Sequence, residues 1–189
     1  MIVQQRAVFL DRDGVINVNH GYVHDPETFE FIDGIFEVAC AAHASGYKLI
    51  VITNQSGIGR GYYSETQFHQ LTEWMCNEFL NAGAPIEKVY FSPFHPTAGL
   101  GTFKKDDVSR KPRPGMIHQA REEMNLNLGS SILIGDKVSD IQAGITAGVG
   151  LNILFALKQP SELSGLHYHV ISTLREALPF MNGSGKKLS

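Results

Sequence analysis

The chain has 189 residues, 43% of them apolar, which is about one domain's length with enough apolar material for a real core. Lys and Arg number 16 against 19 Asp and Glu, a formal charge of -3, so the basic excess of a nucleic-acid or anionic-membrane binder is missing. No apolar run approaches the ~20 residues of a membrane span.

Residues 1–10 lack the pattern of a signal peptide. Cys40 and Cys76 lie inside apolar helical patterns, which fits two buried free thiols in a reducing compartment better than a disulfide framework. A cytoplasmic monomer is the expectation, with no nucleic-acid or membrane partner.

Along the chain, short apolar runs alternate with helical patterns, the signature of βα units around a parallel sheet. Ala7–Leu10 reads as the first strand. A helix is predicted over about 33–45, with Ile35, Val38, Ala39 and Ala42 on one face and Gly46 as its stop. Lys48–Thr53 reads as a buried strand. Ser64 with Gln67 makes a capping box for a helix that places Phe68, Leu71, Met75 and Phe79 on the core side. Val89–Phe91 is a third strand, followed by an aperiodic stretch, 92–113, long enough to suggest a functional loop. Further on come a helix over 115–124, a strand over 132–134 and a helix opened by a Ser139/Gln142 capping box. Strands over 151–155 and 169–171 and a helix over 173–180 complete the pattern. The reading is one domain, 1–182, with a polar flexible tail, 183–189.

The acidic residues of interest fall just past strand ends, the edge where open α/β sheets bind ligands. Asp11 and Asp13 follow the first strand, Thr53 and Asn54 end the second, and Asp136 and Asp140 follow the fourth. Any one of these aspartates alone reads as a solvated turn or a helix cap; their shared rim shifts the balance. Three carboxylates at one rim repel unless a cation sits among them, and Mg²⁺ suits carboxylate, water and phosphate oxygens. Lys111 offers a point charge to a phosphoryl group, and Thr53 with the amides after it offers hydrogen bonds to the same oxygens. Two positions along an extended strand place Asp11 and Asp13 on the same side.

The segments Asp11–Asn17 (DRDGVIN), Thr53–Gly57 (TNQSG), Arg110–Pro112 (RKP) and Gly135–Lys137 with Asp140 resemble the four ordered motifs of the haloacid dehalogenase (HAD) superfamily. Residues 20–23, 29–31, 56–61 and 110–116 resemble, more narrowly, its heptose 1,7-bisphosphate phosphatase branch, with the histidinol phosphatases as neighbours. The resemblance implies a Rossmann-like HAD fold, without a cap domain because the gaps between motifs are short, and with a flap after the first strand. It implies a Mg²⁺-dependent phosphatase acting on the C7 phosphate of a phosphorylated heptose. In that scheme Asp11 is the nucleophile, Asp13 the general acid and base, and Thr53 and Lys111 stabilise the phosphoryl group. The metal ligands are Asp11, the Asp13 carbonyl and Asp136. Asn19, His20, Gly21, Tyr22, Asn54, Gln55, Ser56, Arg110 and Lys137 are the implied substrate contacts.

The chain departs from that branch in the loop after the third strand. Four positions that commonly hold a structural zinc read Ser92, Phe94, Asp107 and Ser109, so no zinc is expected, and Phe91, Phe94 and Phe103 are candidates to hold the loop instead. Asn19 replaces a frequent carboxylate. Arg60, in the Gly-rich turn after Thr53, reads equally as a second phosphate contact or as a solvated side chain. Two alternatives stay open: a phosphatase for histidinol phosphate or another sugar phosphate, and a phosphoacceptor module without turnover.

Overall fold

The computed structural model describes residues 4–182; the expected flexible tail lies outside them. Six parallel strands form one sheet: β1 (Arg6–Leu10), β2 (Tyr47–Asn54), β3 (Ile86–Ser92), β4 (Ile132–Gly135), β5 (Leu151–Phe155) and β6 (His169–Ile171). Their spatial order is β3-β2-β1-β4-β5-β6. The order reverses direction between β1 and β4, and the crevice beyond the strand ends at such a switch point is where doubly wound sheets bind ligands.

In the central strands side chains alternate between two cores and are nearly all buried, as a sheet covered on both faces requires, while the edge strands β3 and β6 expose some of theirs. Val8, Leu10, Leu49, Val51 and Ile134 face one layer, against α1 (Ile35–Ala44) and α3 (Glu65–Asn81). Ala7, Phe9, Ile50, Ile52 and Leu133 face the other, against α4 (Gly115–Met124) and α5 (Val138–Ala147). The Ser64/Gln67 box forms: Ser64 Oγ accepts the Gln67 amide at 3.1 Å, and Gln67 Oε1 takes the Ser64 amide at 2.9 Å. Phe68, Leu71, Met75 and Phe79 are all buried beneath it.

Several sequence-based boundaries move. The Ser139/Gln142 box does not form, because α5 begins one residue before Ser139 and its third helical position is Asp140. That carboxylate reaches back to the Lys137 amide at 2.9 Å, so the reciprocal bond comes from an acid rather than from Gln142. A one-turn helix, α2 (Ser56–Gly59), occupies what reads as a turn. The last helix is a 3₁₀ turn, Leu174–Ala177, running into a short α6 (Leu178–Met181); Pro179 accounts for its first-turn position. Cys40 and Cys76 are free but half-buried rather than buried; Cys40 Sγ spends its proton on the Ala82 carbonyl at 3.2 Å. Among the described residues no helix is long and apolar enough to cross a membrane.

Candidate active site

The residues past β1, β2 and β4 meet in one cavity of about 630 Å³, lined on its floor by Asp11, Asp13, Thr53, Lys111 and Asp140. β1 stops at Leu10, and the Asp11 amide donates to the Ile134 carbonyl at 3.1 Å, so the two strands flanking the switch point present their next residues side by side.

Lys111 anchors the floor. Its ammonium lies 2.9 Å from Asp11 Oδ1 and 2.7 Å from Asp140 Oδ1, and donates to the Ile52 carbonyl at 2.8 Å. All three side chains are nearly inaccessible, at 2–6% for Lys111 and Asp11 and 1% for Asp140. Burial alone would pull the ammonium down, yet Asp11 and Asp140 overcome it and hold Lys111 firmly charged. Burial likewise opposes ionisation of Asp11, and Lys111 with Lys137 reverses the sign, so its carboxylate stays charged. Asp140 keeps a net upward shift, from burial, which Lys111 only partly offsets. Such a buried cluster is stable only while every charge has its partner.

Asp13 is held by donors on both oxygens. Arg12 Nη2 lies 3.0 Å from each, Gln55 Nε2 donates to Oδ2 at 2.9 Å, and Asn17 Nδ2 to Oδ1 at 3.2 Å. Asp11 and Asp13 do face the same cavity, but not as neighbours on an extended strand: the backbone turns directly after Asp11, and the Ile16 amide folds back to the Arg12 carbonyl at 2.8 Å. Arg12 is 1% exposed and spans from Asp13 to the Val23 carbonyl at 2.8 Å, tying the flap to the catalytic turn. Sequence reasoning passed over Arg12 and Asn17 because a buried arginine inside a D-x-D turn has no signature of its own. Tyr63, which donates its hydroxyl to Gln55 Oε1, was equally invisible, since 42 residues separate the Gln55 it orients from Asp13.

Asp136 sits at the rim beside Asp11. Burial, and then the Asp11 charge, push its carboxyl up to about 7, with Lys137 partly offsetting them. Lys137 Nζ lies 3.1 Å from Asp136 Oδ1, 3.2 Å from the Asp13 carbonyl and 3.8 Å from Asp11 Oδ2. Those three oxygens therefore surround one point that a cation already fits. Gly14 makes this approach possible: a Cβ there would lie 2.1 Å from Asp136 Oδ2, and its φ is +105°. Asp11, Asp136 and Asp140 have carboxylate oxygens within 4.8 Å of one another, but Asp140 is committed to Lys111 and to the Lys137 amide. The remaining hard oxygen set, Asp11, Asp136 and the Asp13 carbonyl, fits Mg²⁺.

The substrate-contact set divides. Asn19, Gly21, Tyr22, Asn54, Gln55, Ser56, Arg110 and Lys137 line the cavity. His20 does not: its Nε2 is 3.2 Å from Glu30 Oε2, and it faces a separate depression with Thr28 and Phe29. The flap reverses at Gly21 and Tyr22, both at positive φ. Asn54 and Gln55 touch the cavity with their amides already engaged. Asn54 accepts the Lys111 amide and donates to the Lys111 carbonyl, both at 3.0 Å, clamping the lysine's backbone. Gln55 Nε2 also donates to Thr53 Oγ1 at 2.8 Å.

At the end of β3 and in the loop after it, Ser92, Asp107 and Ser109, three of the four positions where zinc ligands are missing from the sequence, bond to one another. Ser109 Oγ lies 2.7 Å from Asp107 Oδ1 and 3.0 Å from Ser92 Oγ, and the Ser109 amide donates to the same carboxylate at 2.9 Å. Asp107 also pairs with Lys105 at 2.7 Å, and its carboxyl falls to about 2, burial being outweighed by Lys105 and Ser109. The Phe94 ring packs tilted against Phe103 with centroids 6.0 Å apart, and Phe91 against Phe68 at 4.4 Å.

Comparison with characterised proteins agrees with this geometry. A HAD-hydrolase-like family model matches residues 108–155, the stretch from the Lys111 loop through Asp136 to β5. The D-glycero-α-D-manno-heptose-1,7-bisphosphate 7-phosphatase of Burkholderia mallei is 52% identical over 97% of both chains. The chain belongs to the heptose-bisphosphate phosphatase family of HAD-like hydrolases. Its members differ in the anomer they are named for, since the Vibrio cholerae relative, 47% identical over 82% of this chain and 83% of that one, is the β-anomer enzyme. Among solved structures, D,D-heptose 1,7-bisphosphate phosphatase from B. bronchiseptica, complexed with magnesium and phosphate, superposes with a TM-score of 0.80. It covers 94% of this chain and 98% of its own at 22% identity, which supports the shared fold.

Proposed function

We propose that this protein hydrolyses the C7 phosphate of D-glycero-D-manno-heptose 1,7-bisphosphate through a phosphorylated Asp11. The observation that carries this reading is the buried Asp11–Lys111–Asp140 cluster at the bottom of a cavity that Asp13 also lines. A carboxylate kept ionised beside a lysine, with a second carboxylate held across the cavity, is what a two-step phosphoryl transfer needs.

In the proposed first step an Asp11 oxygen attacks phosphorus, the bond from phosphorus to the C7 oxygen breaks, and Asp13 delivers a proton to that oxygen. In the second, Asp13 takes a proton from water. The water oxygen attacks the phosphoryl group, the bond to Asp11 breaks, and inorganic phosphate leaves. Lys111 and Thr53 face the phosphoryl oxygens, and Arg12, Asn17 and Gln55 fix Asp13 for both proton transfers. The Asp11 side chain, the Asp13 carbonyl and Asp136 would hold Mg²⁺, which supplies charge neutralisation for the transferring group. Lys137, whose ammonium lies against the same oxygens, would then be available to a phosphoryl group.

We further propose that the loop after β3 is ordered without zinc, by the Ser92–Asp107–Ser109 cluster and the Phe94–Phe103 contact. The enzyme is proposed to work as a cytosolic monomer of one domain. The test is phosphate release with Mg²⁺ from both heptose 1,7-bisphosphate anomers, histidinol phosphate and a set of sugar monophosphates. One heptose bisphosphate anomer should exceed the non-heptose substrates in kcat/KM by ~100-fold, about 2.7 kcal/mol of transition-state binding. Equal weak rates on every substrate would overturn the assignment.

A further inference from the structure

Asp13 and Thr53, which the proposed chemistry uses for proton transfer and for the phosphoryl oxygens, share one partner. Gln55 Nε2 donates to Asp13 Oδ2 at 2.9 Å and to Thr53 Oγ1 at 2.8 Å. An ionised carboxylate only accepts, so the amide nitrogen has to face Asp13, and both of its protons are spent on these two bonds. The amide oxygen then points away from them. Gln55 is 2% exposed, and the donor that meets its Oε1 is the Tyr63 hydroxyl. Thr53, because it accepts from Gln55, keeps its own hydroxyl proton for the cavity that it lines. One tyrosine proton therefore sets the donor direction at two residues of the site.

Tyr63 reaches this point for a local reason. Ser64 caps α3, so Tyr63 is the residue before the cap and Phe68 is the fourth residue of the helix. Their rings are buried together with Ile58, as the hydrophobic staple that fixes the angle at which a chain enters a helix. The Tyr63 ring is wedged on other sides as well. A Cβ at Gly57 would lie 2.1 Å from Tyr63 Cε1, and the His24 ring of the flap lies parallel to it with centroids 5.3 Å apart. Burial, chiefly, pushes the Tyr63 hydroxyl up to about 12, with Asp13 and Tyr22 adding to it against Arg12, so the oxygen keeps its proton at neutral pH. A staple, however, needs only the ring, and phenylalanine would serve. The hydroxyl, on a residue 5% exposed, answers to Gln55 alone among the described residues.

We infer that Tyr63 is a positioning residue: by donating to Gln55 Oε1 it holds the Gln55 amide in the orientation that presents Nε2 to both Asp13 and Thr53. The inference rests on the proposed covalent reading, in which Asp13 is the acid and base. Without the hydroxyl, the buried amide oxygen has no donor, and the amide turns to find one. An amide oxygen turned toward Asp13 repels the carboxylate and takes the Thr53 proton that a phosphoryl oxygen needs.

The test is a double-mutant cycle of Tyr63→Phe and Gln55→Ala, assayed with Mg²⁺ on heptose 1,7-bisphosphate and on p-nitrophenyl phosphate. Attack of water on phosphorylated Asp11 is common to both substrates. Tyr63→Phe keeps the staple ring and removes one oxygen. It should lower kcat about 10-fold, a part of the 10²–10⁴ that acid–base catalysis supplies, with KM changed by less than about 3-fold. Gln55→Ala should lose at least as much. Adding Tyr63→Phe to it should cost no more than about 2-fold, because the hydroxyl then has nothing to orient. In rapid-quench turnover with labelled substrate, the phosphoenzyme of Tyr63→Phe should decay more slowly than that of the wild type. An equal kcat loss in both backgrounds would assign Tyr63 to packing, and wild-type kcat in Tyr63→Phe would assign its hydroxyl no role; either result overturns the inference. Failure of Asp13→Asn to trap a phosphoenzyme would instead overturn the covalent reading, and the cycle would still report whether Tyr63 acts through Gln55.

Discussion

The floor of the cavity and the loop that walls its mouth are built on opposite principles. On the floor, Asp11, Lys111 and Asp140 are nearly inaccessible, and each charge has a partner within 2.9 Å. At the mouth, the 93–110 loop is tied by single hydrogen bonds and ring contacts among half-exposed groups. Charges on the floor have no water to fall back on, so each depends on its neighbours; those at the mouth are screened, and each is nearly independent. Chemistry that must not vary belongs on the floor, and recognition that can drift between relatives belongs at the mouth.

The sharpest way to break the floor is to remove its nucleophile. Asp11→Asn should lower turnover by about 10⁴-fold or more while leaving the cavity's shape intact. Asp13→Asn keeps the attacking group but removes the base that activates water. It should slow turnover by roughly 10²–10⁴-fold and let an acid-stable, hydroxylamine-sensitive phosphoenzyme accumulate. Retained activity in Asp11→Asn, or no phosphoenzyme in Asp13→Asn with labelled substrate, would break the covalent scheme.

Lys111→Met tests whether the floor is one electrostatic unit. The substitution strands Asp11 and Asp140 as buried carboxylates with no cation between them. Removing one partner from such a cluster costs about 3–5 kcal/mol. Denaturant unfolding at neutral pH should show a loss of that size, together with collapse of activity. Burial already raises Asp140, and Lys111 is the chief group that restrains it, so the deficit should shrink as the pH falls and the stranded acids protonate. Wild-type stability in Lys111→Met would mean that the cluster is no more than three adjacent charges.

The same contrast governs what the sequence disclosed. The acids of the floor were legible because they follow strands, and parallel pairing with Leu10 opposite both Val51 and Ile134 forces those strand ends together. Even there, the partners that hold the acids in place were hidden. Arg12 lies inside the motif but shows its role only when Val23 closes over it, and Tyr63 reaches Asp13 through Gln55. His20 was misplaced because a left-handed flap turn, unreadable from residue types at Tyr22, decides which side chains face the cavity. The Ser139/Gln142 pair matched a capping pattern, but Asp140 offered a charged acceptor at the competing register, and the helix began where that stronger bond could form.

Ser109→Ala probes the mouth and should have the smallest effect. The hydroxyl lies against Asp107 and Ser92. Its loss removes one charge-assisted bond in a half-exposed setting, while the Ser109 amide and Lys105 continue to satisfy Asp107. The expected cost is about 1 kcal/mol in global stability, with monophosphate hydrolysis close to wild type. Bisphosphate KM should rise more than kcat falls, because Arg110 follows Ser109 directly and takes its position from the same loop. A change in kcat on both substrates as large as that of a floor substitution would show that loop and floor act as one unit, which is the outcome that most directly contradicts the division drawn between them.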